Sequence, residues 1–151
     1  MDFDLVRFIA ESNRIEGIFR VIPDEIEAHS ALLARAVLSV EDLEAFVNAV
    51  ARAPLRRSKD MDVQVGIHVA PRGGPKIEEA LSALLAQANQ GFDPHDVHHR
   101  YEDLHPFMDG NGRSGRAIWL WMMRRQRCWV YQSSFLQTWY YQSLDCKREV
   151  D

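Results

Sequence analysis

An all-α domain carrying one short β-hairpin is the fold class that this sequence predicts. Apolar residues recur at helical spacing through most of the 151 residues, and one stretch, Leu55 to Pro75, alternates apolar and polar residues instead. Length and composition supply the third observation. With 46% hydrophobic and 26% charged residues, the chain matches an ordinary folded domain rather than a disordered or collagen-like one. No repeat or Pro/Ser-rich linker divides it, so residues 1–151 are read as one domain.

Residues 2–16 predict a first helix that Gly17 ends. From Asp24 to Ser39 a second helix places Ile26, Leu33, Val37 and Val40 on one apolar face. Ser39 with Asp42 forms a capping-box pattern and opens a third helix through Arg52, which Pro54 terminates. Val63, Val65, Ile67 and Val69 then alternate with Asp62, Gln64, Gly66 and His68, the spacing of a strand, before Pro-Arg-Gly-Gly-Pro closes the segment. We read residues 55–75 as a projecting hairpin whose edge is able to pair with a peptide. Lys76–Asn89 resumes a helix with Ile77, Leu81, Leu84 and Leu85 inward. Asp93-Pro94 supplies the cap and first-turn proline of the next helix, through Leu104. Trp119, Leu120, Met122 and Met123 form the packing face of the helix after residue 116.

Charge is unevenly placed. Residues 1–50 carry ten acids and four bases, whereas residues 51–151 carry twelve acids and fourteen bases, so the acidic third is expected to lie against a basic site. The formal charge of −4 disfavours a dedicated nucleic-acid binder, and Arg124, Arg125 and Arg127 suit a helix C-terminus. Cys128 and Cys146 make neither a disulfide framework nor a CxxC spacing; reduced thiols and a cytoplasmic location are expected. The opening MDFDLVRFIAESNR has acids where a signal peptide needs bases. The apolar run Ala117–Met123 is far shorter than the roughly 20 residues of a membrane span. His95, His98, His99 and His105 have no zinc-site spacing, and His98 suits a bracing role.

Chemistry concentrates in His105-Pro-Phe-Met-Asp-Gly-Asn-Gly-Arg-Ser-Gly-Arg116, between two helical patterns. Gly110 and Gly112 allow a tight turn with close backbone approach, and the helix that follows presents unpaired N–H groups, together an anion hole. Arg113 and Arg116 sit three apart in the first turn, on one face. First-turn arginines oppose the helix dipole, so the pair calls for an anion, and two guanidiniums over a glycine-lined turn fit a polyphosphate. Asp109 offers one carboxylate for Mg²⁺ held mainly by substrate phosphates and water. His105, with an ordinary pKa of about 6.5, is the natural general base. The pattern GxxxxGK(S/T) is missing, which excludes a P-loop NTPase.

These twelve residues resemble the Fic motif, HPFx(D/E)GNGRxxR, at every specified position. His98 and Tyr101 precede the motif as in Fic domains, DVQVGIHVAP is similar to the family's target-docking flap, and TWYYQSL is similar to its closing helix. The resemblance implies a Fic-type helical domain with the 55–75 hairpin as its flap, Val65, Gly66 and Ile67 at its tip. It also implies transfer of AMP from Mg·ATP to a Ser, Thr or Tyr hydroxyl of a target protein. On that basis His105 deprotonates the hydroxyl, Asp109 ligands the metal, and Asn111 with the Gly110–Gly112 backbone holds the α-phosphate. Arg113 then takes the β-phosphate and Arg116 the γ-phosphate, with Phe107 as a buried anchor.

Near the N-terminus, Ser12-Asn-Arg-Ile-Glu16-Gly17 resembles the family's inhibitory pattern, (S/T)xxxE(G/N). Ser12 and Glu16, four apart, share a helix face. In such proteins the glutamate pairs with the second motif arginine, here Arg116, and blocks γ-phosphate placement, which makes residues 1–17 an inhibitory helix. Three other functions stay open at this point: removal of AMP from a modified protein, Doc-like phosphotransfer, and a non-catalytic nucleotide-binding, antitoxin-like module. The sequence also leaves a homodimer open.

Overall fold

Asp4 opens the first helix by accepting a hydrogen bond from the Arg7 amide, and α1 runs Leu5–Ile15. It ends where Gly17, at φ +75°, turns the chain and the Ile18 amide reaches back to the Asn13 carbonyl. The structure, a computed structural model, describes residues 4–126. The expected closing helix at Thr138–Leu144, Arg127 and both cysteines lie outside the described residues.

Helix α2 spans Pro23–Leu33 and α3 spans Val40–Val50. Here the sequence expectation of one helix from Asp24 to Ser39 fails. The apolar spacing continues, but the chain leaves the helix after Leu33, and Val37 is 58% exposed. The cause is a distant clamp: the Asn89 side chain accepts from the Leu38 amide at 2.8 Å and donates to the Leu38 carbonyl at 2.9 Å. Both backbone groups of Leu38 are thereby satisfied outside any helix, and Ser39 is free to cap α3 through the Asp42 amide. The third helix stops before Arg52, which sits at φ +52° ahead of Pro54.

Residues Gln64–Val65 (β1) and His68–Val69 (β2) form a two-stranded antiparallel hairpin in the register Gln64 with Val69 and Val65 with His68. Helix α4 covers Pro75–Asn89, α5 covers Pro94–Leu104 with Asp93 as its cap, and α6 covers Asn111–Arg125. The molecule is thus all-α with a small hairpin, as its sequence predicts.

Helix α6 runs through the middle. Its residues from Asn111 to Met122 are buried except for Gly112, and Ala117, Ile118, Trp121 and Met122 join the core made with α2, α3, α4 and α5. Trp119 and Leu120 point the other way, into a smaller cluster with Phe8 of α1. Each large apolar side chain so buried contributes about 1.5–3 kcal/mol. A few such contacts hold α1, whereas α6 is fixed from several sides. No helix among the described residues is long and apolar enough to cross a membrane.

Candidate active site

The segment from Leu104 to Asn111 is a loop held by its own residues and by a strand-like neighbour. Phe107 is fully buried and forms an antiparallel bridge with Leu55. Around it, the Arg56 amide donates to the Pro106 carbonyl at 2.9 Å and the Met108 amide to the Pro54 carbonyl at 3.0 Å. The Asn111 side chain closes the loop from inside: its Oδ1 accepts from the Phe107 amide at 2.8 Å and its Nδ2 donates to the Phe107 carbonyl at 2.7 Å. One N–H and one lone pair of that amide are thereby committed to the loop, which fixes the side chain in place.

Gly110 enters α6 at φ +78°, a left-handed conformation suited to glycine. At an α-helix N-terminus the amides of Asn111, Gly112 and Arg113 have no intrahelical acceptor. The turn is braced from α5. Tyr101 shares a 2.6 Å hydrogen bond with the Ser114 hydroxyl, and His98 Nδ1 donates to the Gly115 carbonyl at 2.9 Å. Burial lowers the His98 pKa to about 3, so this ring is a neutral brace.

His105 caps α5 in the left-handed region, at φ +50°. Its Nδ1 lies 2.9 Å from the Glu102 carbonyl; a carbonyl only accepts, so Nδ1 carries the hydrogen and Nε2 keeps a lone pair. Burial holds this imidazole below the usual histidine value. The Glu102 hydrogen bond works against that effect, the nearby Arg56 and His68 charges add to it, and Glu16 opposes it. A neutral ring with its lone pair on Nε2 is the form a general base requires.

Arg116 is 1% exposed, and its guanidinium reaches α1 and its cap. Its Nε donates to Ser12 Oγ at 2.8 Å, and its Nη2 donates to the Ser12 carbonyl at 3.0 Å and to Glu16 Oε1 at 2.7 Å. Glu16 lies against the helix mouth closely enough that a Cβ on Gly112 would collide with its carboxylate. The anion that first-turn arginines call for is supplied within the chain.

Arg113 takes a different route. Its Nη1 donates to the Val50 carbonyl at 2.8 Å and stands 3.7 Å from Glu25 Oε1, and its Nε is buried without a hydrogen-bond partner among the described residues. Glu25 also receives the Asn13 side chain and the Ile22 amide. Thus both motif arginines meet carboxylates of the acidic N-terminal third, each through a separate element. Asp109 is exposed, with Oδ1 accepting from the Gly110 amide at 2.7 Å. Its other oxygen suits a Mg²⁺ coordinated chiefly by phosphates, and no cluster of three His, Cys, Asp or Glu residues competes for a metal among the described residues.

The hairpin projects beside this loop with Val65, Gly66 and Ile67 all exposed, Ile67 completely. His68 pins it to α5 through a 2.9 Å contact from Nε2 to the Asp103 carbonyl. At its base is a residue that sequence reasoning missed, Arg56, fully buried among carbonyl oxygens. Nothing in the adjacent pair Arg56-Arg57 announces that the first is interior while the second lies outside, bridging Glu44 and Glu78. Glu25 was equally illegible, being one of three acids in the first turns of α2.

A family model described as Fic/DOC family matches residues 22–123. No curated protein matches the chain. The matched span contains the hairpin, both arginines and the whole loop, and begins after Ser12 and Glu16.

Proposed function

The chain belongs to the Fic/DOC family, a family of nucleotide- and phosphoryl-transfer enzymes, and from that premise we propose that it transfers AMP from Mg·ATP to a hydroxyl side chain of a target protein under restraint by α1. The observation that carries the reading is the His105 tautomer: Nδ1–H is committed to the Glu102 carbonyl, which leaves the lone pair on Nε2, in the loop that leads into the glycine-lined N-terminus of α6. In the reaction Nε2 takes the proton of a target Ser, Thr or Tyr hydroxyl. The hydroxyl oxygen bonds to the α-phosphorus, and the bond from that phosphorus to the bridging oxygen breaks as pyrophosphate leaves. Mg²⁺ at Asp109 supplies charge neutralisation of the phosphates when bound. Transfer of this kind depends on positioning and electrostatics, which the amides of the first turn of α6 provide without rearrangement.

Restraint follows from competition. Arg116 is the guanidinium suited to the terminal phosphate, and Ser12 and Glu16 engage it instead. The Arg116 position also separates this reading from Doc-like phosphotransfer, where the GNGRxxR ending is not kept. The hairpin edge, with β1 and β2 only two residues each, offers main-chain groups to an extended target segment.

Incubation of Glu16→Gly with labelled ATP, Mg²⁺ and a cell lysate tests the proposal. Labelled protein that disappears when His105→Ala is added to the same chain supports it. No label in either variant, together with His105-dependent release of AMP from a modified protein, replaces it with AMP removal.

A further inference from the structure

The Arg56 guanidinium is 0% exposed and has no carboxylate partner among the hydrogen bonds it makes. Instead it donates to four backbone carbonyls: Nε to His105 at 2.6 Å, Nη2 to Leu104 at 2.8 Å, and Nη1 to Met61 at 3.0 Å and Pro71 at 2.7 Å. The first two belong to the end of α5 and the catalytic loop. The other two belong to the two arms of the hairpin. Its own backbone completes the junction, since the Arg56 amide bonds to the Pro106 carbonyl and its carbonyl accepts from the Gly74 amide.

We propose that Arg56 is a positioning residue that couples the hairpin to His105, setting the imidazole by gripping the backbone of the loop and of both hairpin arms with one planar fork. The inference rests on the reading of His105 as the base and of the hairpin as the target-docking element. Its physical basis is strain and geometry. A non-glycine residue at φ +50° is held against a cost of about 1–3 kcal/mol, and the shortest of the four bonds falls on that residue's carbonyl. A rigid fork has five donors at fixed angles, which an ammonium cannot reproduce, so lysine satisfies the charge without the geometry. Movement of Met61 and Pro71 as a target segment seats on the hairpin is therefore transmitted to the His105 carbonyl through one group.

The test uses the full chain with Glu16→Gly, labelled with ¹⁵N at histidine, and reads the His105 imidazole by NMR beside kcat and ATP affinity. Arg56→Lys is expected to keep ATP affinity within about twofold, because the first turn of α6 is untouched, while kcat falls roughly tenfold to a hundredfold and the His105 signal shifts. Arg57→Ala, its exposed neighbour, changes neither. Asp62→Ala approaches from the other end: it removes the exposed carboxylate that accepts from the Gly73 amide at the hairpin base and whose charge acts on the Arg56 guanidinium, and it too is expected to shift the His105 signal. An unmoved His105 signal in Asp62→Ala, with the hairpin resonances altered, overturns the coupling. So does an Arg56→Lys chain that keeps wild-type kcat, or that loses ATP affinity and kcat in equal measure. Should no chain transfer AMP at all, the proposed function fails, and the His105 signal in Asp62→Ala still decides the role of Arg56.

Discussion

Two buried arginines make opposite use of the same side chain. Arg56, at the hairpin base, is held by four carbonyls that belong to three segments of the scaffold. Arg116, one turn into α6, is held by Ser12 and Glu16, which lie within five residues of one terminal helix. A set of carbonyls cannot be traded for a phosphate without opening the loop and the hairpin together. A carboxylate and a hydroxyl on a helix packed through a small cluster of Phe8, Trp119 and Leu120 can be. Burial alone does not separate a brace from an exchangeable lock; the origin of the partners does.

The sharpest way to break this contrast begins with the base that both arginines serve. In a Glu16→Gly chain, His105→Ala is expected to cut transfer on the order of 100-fold or more while ATP binding, measured by calorimetry, stays within about twofold. The same group sets a pH signature: transfer needs the neutral ring, so the rate falls as pH drops through the folded-state pKa. Burial places that acid limb below the ordinary histidine value. A limb above that value would mean another group titrates.

Next in size is the lock itself. Glu16→Gly is expected to raise target labelling roughly tenfold or more, the scale of one hydrogen bond to a charged group. An acid near a basic site also acts at a distance, so a charge control is needed. Glu11 is unsuitable because it is buried, whereas Glu27 is exposed on α2, and Glu27→Gln should leave labelling nearly unchanged. Equal gains from both substitutions would reduce the lock to diffuse electrostatics.

Hydrogen exchange sharpens the comparison in the unmodified chain. Saturating Mg·ATP is expected to speed exchange of α1 amides several-fold, since a ligand shifts this equilibrium by its preference for the unlocked state. The amides of Arg56 and Met108 should not respond. Smallest is Ser12→Ala, expected to raise labelling about threefold, because the Ser12 carbonyl and Glu16 still hold Arg116. A gain equal to that of Glu16→Gly would shift the weight of the lock from the carboxylate to the hydroxyl.

What the sequence made legible follows the range of the forces involved. The turn at Gly110, the cap at Asp93 and the breaks at Gly17 and Pro54 are local effects, and each is readable from a few neighbouring residues. The end of α2 is not, because Ile26, Leu33, Val37 and Val40 keep helical period through a break imposed by Asn89 from another helix. Within the site, glycines and arginines at fixed spacing mark the phosphate-suited turn. The interior place of Arg56 depends on carbonyls brought in from three separate segments, which no local pattern reveals.

The contact between Glu16 and Arg116 has a further consequence through its connection to the rest of the chain. Residues 17–21 join that carboxylate to the matched span, so under the proposed function the competitor of ATP is a tethered ligand, presented at an effective concentration in the millimolar range for a short link. Dilution does not weaken it, and free nucleotide at lower concentration does not displace it by mass action alone. A peptide bond cleaved after Arg20, beside the exposed Phe19, would turn the same competitor into a diffusible peptide, converting a reversible restraint into a one-way change.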